Sequence, residues 1–322
     1  MTLPITLIMA PIHGVTDAVY RNAFAVCFSG FDRAITPFIA LRQGQLSRPS
    51  ELLQVAPESN RFIKATPQVL TNHPQTFSAV LRQLSDVGHE EVNWNLGCPY
   101  PMVAGRGRGA GLLSEPDRID SILAEVLNNS PVRLSVKMRL GYHDPDEYQP
   151  VMEVLNRYPL KEVILHARTA DQMYDGAVDI VRAGQMLASC RHPFVYNGDI
   201  TRPDGFRDLC RQLPGTTAWM VGRGALACPF LPSLLKASPL PSLDTRRKML
   251  HEFHRHLIEG YSRRLSGPRH LMDKMLEQWK YLTLSFANPG PLLTRIRRSY
   301  PSRYASAVEW AFDQPLADID NS

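Results

Sequence analysis

The sequence predicts an α/β fold, a (β/α)8 TIM barrel, followed by an all-helical bundle. Three observations carry this expectation. Eight short β-prone runs alternate with helix-length segments over residues 1–236. No Gly-x-Gly-x-x-Gly comes after the first run, which favours a barrel over a doubly wound dinucleotide sheet. After a Pro- and Ser-rich linker at 237–244 no strand pattern survives, so residues 245–322 form a separate helical domain.

The strands are expected at 5–10 (ITLIMA), 34–41 (AITPFIAL), 62–69 (FIKATPQV), 91–95 (EVNWN), 134–139 (LSVKMR), 162–166 (EVILH), 194–197 (FVYN) and 218–221 (AWMV). Between them, 75–87, 115–128, 146–158, 178–188 and 203–212 read as helices. Beyond the linker, helices are expected at 244–264, 268–285, 291–300 and 303–312. Gly267-Pro268 and Asn288-Pro289-Gly290 punctuate them.

The amino terminus is apolar but short, without a basic flank or a cleavage site, and no apolar run approaches the roughly 20 residues of a membrane span. A cytoplasmic protein that does not use a membrane is expected. No heptad or long apolar patch is visible, which predicts a monomer without an obligate protein partner. The five cysteines are odd in number and none forms a Cys-x-x-Cys pair. That argues against a disulfide framework and against a metal site. Charge is uneven: residues 243–303 hold 13 Lys/Arg against five Asp/Glu, an excess of eight positive charges. Either a polyanionic partner such as nucleic acid or a plain solvated face accounts for that block.

In a barrel the chemistry sits at the carboxyl ends of the strands. Those ends carry Pro11, Gln68, Asn95 with the Gly97-Cys98-Pro99 turn, Lys137 with Arg139, His166 with Arg168, Asn197-Gly198-Asp199, and Gly222-Arg223-Gly224. Barrel interiors normally hold branched aliphatics, so a lysine and a histidine there need buried partners. The turns after strands seven and eight commonly hold a phosphate, and Gly222-Arg223-Gly224 offers close backbone approach and a guanidinium. A phosphorylated ligand is therefore implied. Lys137 suits a flavin ring that becomes anionic on reduction. Taken singly, an ion pair for Lys137 and a bonded core histidine for His166 explain as much. The Gly105–Gly111 run lacks both the Rossmann and the P-loop spacing and reads as a loop beside Cys98.

These motifs together resemble the tRNA-dihydrouridine synthases. The resemblance spans nearly the whole chain: APIHGVTDAVYR, Asn95-Leu96-Gly97-Cys98-Pro99, GRGAGLL, VKMRLG, HARTADQMYDG, YNGDI and VGRGAL, in that order. It implies an FMN-bearing barrel with a C-terminal helical domain that grips tRNA. Pro11, Ile12 and His13 are implied to contact FMN, and Gln68, Lys137 and His166 its ring. Asn197, Gly198, Asp199, Gly222 and Arg223 are implied to hold its ribityl phosphate end. Cys98 matches the catalytic cysteine. Asn95 and Arg139 are expected to face the substrate uracil, and Arg168, Lys274 and Arg297 to contact the tRNA substrate. Three positions depart from the pattern: Ile12 replaces methionine, Ala167 replaces glycine, and Pro101-Met102 stand where a lysine is common.

The implied reaction reduces C5=C6 of a uridine in tRNA. NADPH (or NADH) reduces FMN, hydride passes to C6, and Cys98 donates a proton to C5. An ordinary thiol, with a pKa of about 8.5, is mostly protonated near neutrality. Two rivals remain on the sequence alone. One is an FMN barrel acting on a small molecule, which leaves the basic helical region unexplained. The other is a non-catalytic RNA-binding protein, which leaves Lys137, His166 and the two glycine turns unexplained.

Overall fold

The computed structural model describes residues 5–39, 41–42, 45–46, 49–299 and 302–319. Eight parallel strand positions close into a barrel: β1 (Thr6–Met9), β2 (Arg33–Ile35), β3 (Ala65–Thr66 and Gln68–Val69), β4 (Glu91–Leu96), β5 (Arg133–Arg139), β6 (Val163–His166), β7 (Phe194–Asn197) and β8 (Ala218–Val221). Closure runs through β3. Its first half pairs with β2, and its second half pairs with β4. Pro67 divides the halves because it has no N–H to give the ladder, while its carbonyl still accepts from Asn93 N at 2.9 Å.

Several expected bounds shift for similar reasons. Of the run at 34–41 only Ala34 and Ile35 join the strand, which begins at Arg33 and ends before Pro37; Ile39 then makes a lone bridge to Val69. Residue 40 lies outside the described residues. The run at 62–69 pairs only from Ala65. An antiparallel hairpin, Leu41–Arg42 with Gln45–Leu46, and a short helix, Pro49–Val55, fill the β2–β3 connection. Neither was expected.

The layer outside the barrel holds α1 (Ala18–Cys27), α2 (Pro74–Asp86), α3 (Pro116–Leu127), α4 (Tyr148–Leu155), α5 (Ile180–Ser189), α6 (Pro203–Gln212) and the short α7 (Arg223–Ala227). Proline opens α2, α3 and α6, where its missing N–H costs nothing. Asp179 caps α5 by accepting from Arg182 N at 2.9 Å, so that helix starts two residues later than expected. The expected helix at 146–158 is a 3-10 turn, Pro145–Glu147, followed by α4.

The strands alternate as a barrel requires. On β5, Leu134, Val136 and Met138 face outward into the large apolar cluster under the helices. Ser135, Lys137 and Arg139 share the opposite, inward face. Elsewhere the interior is apolar, with Ile8, Ile35, Ile164, Val195 and Met220 in one small cluster. One half of the barrel interior is therefore aliphatic and the other half polar, which concentrates chemistry under β3, β4 and β5. At the amino-terminal end, Glu162 pairs with Arg33 at 2.6 Å, and Glu91 pairs with Arg133 at 2.6 Å and with Lys161.

Past the barrel come α8 (Leu243–Ser262), α9 (Pro268–Leu282), α10 (Pro289–Arg298) and α11 (Tyr304–Asp313). Ser242 caps α8, accepting from Thr245 N at 3.3 Å, so the helix begins at Leu243, inside the expected linker. The end of the helix expected at 291–300 falls partly outside the described residues, because residue 300 is not described.

These helices do not stand apart from the barrel. Phe253, Leu257 and Tyr261 of α8 share one apolar cluster with Val19, Tyr20, Phe24 and Phe28 around α1. Burying side chains of this size contributes about 1.5–3 kcal/mol each. Helix α8 approaches closely because residue 260 is glycine; a Cβ there would lie 2.5 Å from Val19 Cγ1. Asp17, the cap of α1, also accepts from Tyr261 Oη at 3.1 Å and pairs with Lys274 at 3.3 Å. No helix among the described residues is long and apolar enough to cross a membrane.

Candidate active site

The carboxyl ends of the strands surround a cavity of about 1070 Å³ that opens to solvent. Of the residues singled out from the sequence, all but Arg168, Lys274 and Arg297 line it.

A chain of buried amides forms one wall. Asn93 Nδ2 donates to Ser135 Oγ at 2.9 Å, Gln68 Nε2 to Asn93 Oδ1 at 2.8 Å, and Asn95 Nδ2 to Gln68 Oε1 at 2.8 Å. Asn95 Oδ1 then accepts from Gly97 N at 3.0 Å and Cys98 N at 2.9 Å. The chain fixes every amide orientation and ends by clasping the Cys98 turn. Asn95 was expected to meet a substrate. In the structure its oxygen is spent on the turn, and it positions Cys98.

Cys98 is 7% exposed. Burial pushes its thiol above the ordinary range, opposed by the Tyr100 backbone N–H and the nearby Arg139 and Lys137 cations. The thiol stays protonated at neutral pH. Arg139 donates from Nε to Gly97 O at 3.0 Å and from Nη1 to Thr169 O at 2.7 Å, which aims the rest of its guanidinium at the cavity. Lys137 has no hydrogen-bond or ion-pair partner among the described residues, and burial with Arg139 nearby lowers it to about 7.

His166 is held neutral, well below its ordinary value, by burial and by Arg139, Lys137, Arg168 and Arg223 around it. Its Nε2 lies 3.3 Å from Arg168 Nη1. A guanidinium only donates, so Nε2 accepts and the ring proton sits on Nδ1. Arg168 is buried and grips Asp199 and Gly176 O, the latter at 2.6 Å. It braces the wall from behind the cavity and is not on the lining. Asn197 Nδ2 donates to Met220 O at 2.8 Å and leaves its oxygen available. Gly198 sits at φ +150°, and a Cβ there would meet Val178 Cγ1 at 2.8 Å. Only glycine fits at this point of the turn.

Two more of the expected tRNA contacts do not line this cavity. Lys274 is fastened to the Gly14 carbonyl, to Asp17 at 3.3 Å and to Glu277 at 3.2 Å. It ties α9 to the loop after β1 and presents no free cation. Arg297 is exposed on the last turn of α10, beside Arg295, whose guanidinium lies 3.9 Å from the Trp310 ring centre. Where a lysine was looked for, Pro101 opens a short helix, Pro101–Ala104, and Met102 stands 79% exposed.

The sequence reading missed Tyr174, Asn93 and Ser135. Tyr174 stands at the mouth, with the Arg139 and Arg223 guanidinium carbons 5.3 and 5.1 Å from its ring centre. Its place inside HARTADQMYDG was the available signal. Asn93 and Ser135 share their strands' inward faces with Asn95 and Lys137, and alternation alone would have found them.

Comparisons with known proteins bear on the family and the fold. The model of the family described as dihydrouridine synthase (Dus) matches residues 8–285. A probable tRNA-dihydrouridine synthase of Rhodobacter capsulatus is 27% identical over 263 residues, 81% of this chain and 80% of that protein. A tRNA-dihydrouridine(16) synthase of Salmonella typhimurium is 30% identical over 241 residues, 71% of this chain and 76% of that protein. An old yellow enzyme homologue from Zymomonas mobilis superposes with a TM-score of 0.52 at 11% identity, over 74% of this chain and 91% of that one, a likeness of barrel fold. With a family model covering most of the barrel and the first helices beyond it, the chain belongs to the dihydrouridine synthase family.

Proposed function

We propose that this protein reduces the C5=C6 bond of uridines in tRNA, with FMN seated in the barrel mouth and NADPH as the electron source. The observation that carries the reading is the meeting, in one cavity, of an unpartnered lysine, bare glycine turns and a protonated thiol. The residues present fit a flavin. Lys137 lacks an acceptor, which a ring carbonyl supplies. Gly198 and Gly222 line the cavity without side chains. Arg223, half exposed, is drawn to Asp199 only at 3.3 Å and remains available to a phosphate.

When bound there, the flavin supplies the hydride for C6 of the uracil. The rest falls to this chain. Cys98 gives its proton to C5. The Tyr100 N–H, Arg139 and Lys137 do not suffice to ionise the buried thiol, yet they stabilise the thiolate left after transfer. Arg139 meets the uracil carbonyl edge with its remaining N–H groups. A uracil in folded tRNA reaches this depth only when turned out of its stack. The exposed arginines of α10 take phosphates, which accounts for the charge excess beyond the barrel.

The lysine gives the first test. A carbonyl oxygen taken against Lys137 favours its charged form. The free site has a lysine at about 7, so binding takes up a proton at pH values between 7 and the raised value in the complex. Flavin affinity in the parent is expected to weaken as pH rises above 7, by at most about tenfold per unit. Lys137→Met should bind more weakly and lose that slope; equal slopes in both proteins would remove Lys137 from the ring contact. The basic helix gives the second. Charge reversal of Arg297 and Arg298 is expected to weaken tRNA binding and flatten its log–log salt dependence by about 1–2 units. Flavin content should not change. An unaltered salt slope would leave that face merely solvated.

A further inference from the structure

The segment after the Cys98 turn carries a ring that the reaction proposed above does not use. Tyr100 lines the cavity at its mouth and is 49% exposed. Two residues on, Met102 is exposed as well. Large apolar side chains left in water together mark a contact surface more often than ones scattered singly.

The backbone holds the ring in place. Pro99 and Pro101 flank Tyr100, and the second proline restricts it to extended backbone, at φ −59° and ψ 131°. Its carbonyl accepts from Val103 N at 2.8 Å and Ala104 N at 2.9 Å, and its N–H faces the Cys98 thiol. Further on, Asn72 Nδ2 donates to Arg106 O at 3.0 Å and Gly107 O at 2.9 Å, and Ala110 N donates to Cys98 O at 3.0 Å. The same segment carries two cations, Arg106 exposed and Arg108 half-buried. A ring on a rigid rim with cations close behind it is the makeup of a surface that takes single-stranded nucleic acid: bases stack on the ring and the cations follow the phosphates.

We infer that the base adjoining the turned-out uracil of tRNA stacks on the Tyr100 ring, with Arg106 beside the strand's phosphates. The inference rests on the function proposed above and names a contact which that function leaves open. A uracil that reaches Cys98 brings its neighbouring nucleotides to the rim, where Tyr100 stands two residues from the thiol. Turning the uracil out breaks its stacking with those neighbours. The Tyr100 ring replaces one of the lost stacks. Every base has a π face, so this contact holds the strand without selecting a sequence. Tyr100 is a positioning residue here, since its ring acts on the neighbour and not on the reacting base.

The test pairs changes in the protein with changes in the RNA. The uridine that the parent reduces is first mapped. Three transcripts of that tRNA are then compared: intact, abasic immediately 5′ of that uridine, and abasic immediately 3′ of it. Each is bound to the flavin-loaded parent, Tyr100→Phe and Tyr100→Leu. Tyr100→Leu is expected to weaken the intact transcript about tenfold or more, the usual worth of one base stacked on an aromatic ring. Tyr100→Phe keeps the ring and should bind like the parent. One of the two abasic transcripts should weaken the parent to a similar extent, yet bind Tyr100→Leu no worse than the intact transcript does. Flavin content, the rate of flavin reduction by NADPH and the pH dependence conferred by Cys98 should be the same in all three proteins, because both variants keep the backbone N–H at the thiol.

The inference is overturned if Tyr100→Leu binds intact tRNA as well as the parent, if Tyr100→Phe loses as much as Tyr100→Leu, or if the protein and abasic losses simply multiply for both transcripts. It is also overturned if Tyr100→Leu slows flavin reduction or shifts the pH profile, since the ring would then serve the nicotinamide or the turn itself. A parent that reduces no uridine overturns the proposed function and this contact with it; a parent that reduces tRNA without coupling to either neighbour overturns this contact alone.

Discussion

Cys98→Ala is expected to lose tRNA reduction by about 10²–10⁴-fold, the usual worth of a placed general acid. The variant should fold and keep its flavin, because the thiol's contact with the Tyr100 N–H is not what holds the turn. The turn is held by its backbone: Cys98 N bonds to Asn95 Oδ1 at 2.9 Å, and Cys98 O accepts from Ala110 N at 3.0 Å. Cys98→Ser keeps the shape but offers a far weaker acid, so little activity should return. Burial raises the thiol above its ordinary value, so in the parent the protonated form persists through neutral pH and is lost only above the usual thiol range. Its contribution to rate should therefore be flat near neutrality and decline in alkali. Activity assays on tRNA with matched flavin loading check both points. Full activity in Cys98→Ala would return the residue to packing.

Arg21→Leu is expected to cost the fold about 3 kcal/mol or more. Arg21 is fully buried on α1. It donates to Thr16 O at 2.6 Å, to Gln54 O at 2.6 Å and to Asn60 Oδ1 at 2.9 and 2.7 Å. Leucine fills space but leaves the buried Thr16 O and Asn60 Oδ1 short of donors, and each loss is worth about 1–3 kcal/mol. Thermal melting should fall by more than about 5 °C. The loss reaches the site as well. Thr16 Oγ1 accepts from Ile12 N at 2.8 Å and donates to Ala10 O at 3.2 Å, so Arg21 holds the loop that forms one side of the cavity. Flavin retention should drop with stability. A melting temperature within about 2 °C of the parent would mean that water replaces the guanidinium there.

The barrel was legible because its strands announce themselves twice, by their period and by the polar residues at their carboxyl ends. LSVKMR alternates apolar with polar and ends on the residues the cavity uses. Parallel strands that are covered on both faces leave such a trace only where one face is chemical, as on β4 and β5. The second and third strands were read too long because apolar content does not show that Pro37 and Pro67 interrupt pairing. The helical region was legible as helices but not as a partner of the barrel, since α1 looks like any amphipathic helix until α8 covers it. Individual cations were the least legible. Arg168, Lys274 and Arg297 are equivalent in a sequence, and only tertiary contacts make the first two braces and leave the third exposed. Asn95 was placed at the site, but its hold on the Cys98 turn was not legible, because sequence spacing does not resolve which backbone N–H groups its carboxamide oxygen accepts.

The central claim is that one cavity carries electrons from a flavin to a uracil of tRNA. The most direct measurement mixes chemically reduced protein with unmodified tRNA in the absence of air and tracks the flavin absorbance and the dihydrouridine formed. The account predicts return of the oxidised spectrum with one dihydrouridine formed per flavin reoxidised, and no comparable reaction with free uridine. Reoxidation that leaves the tRNA unchanged, or a protein that binds tRNA but carries no flavin, would contradict it.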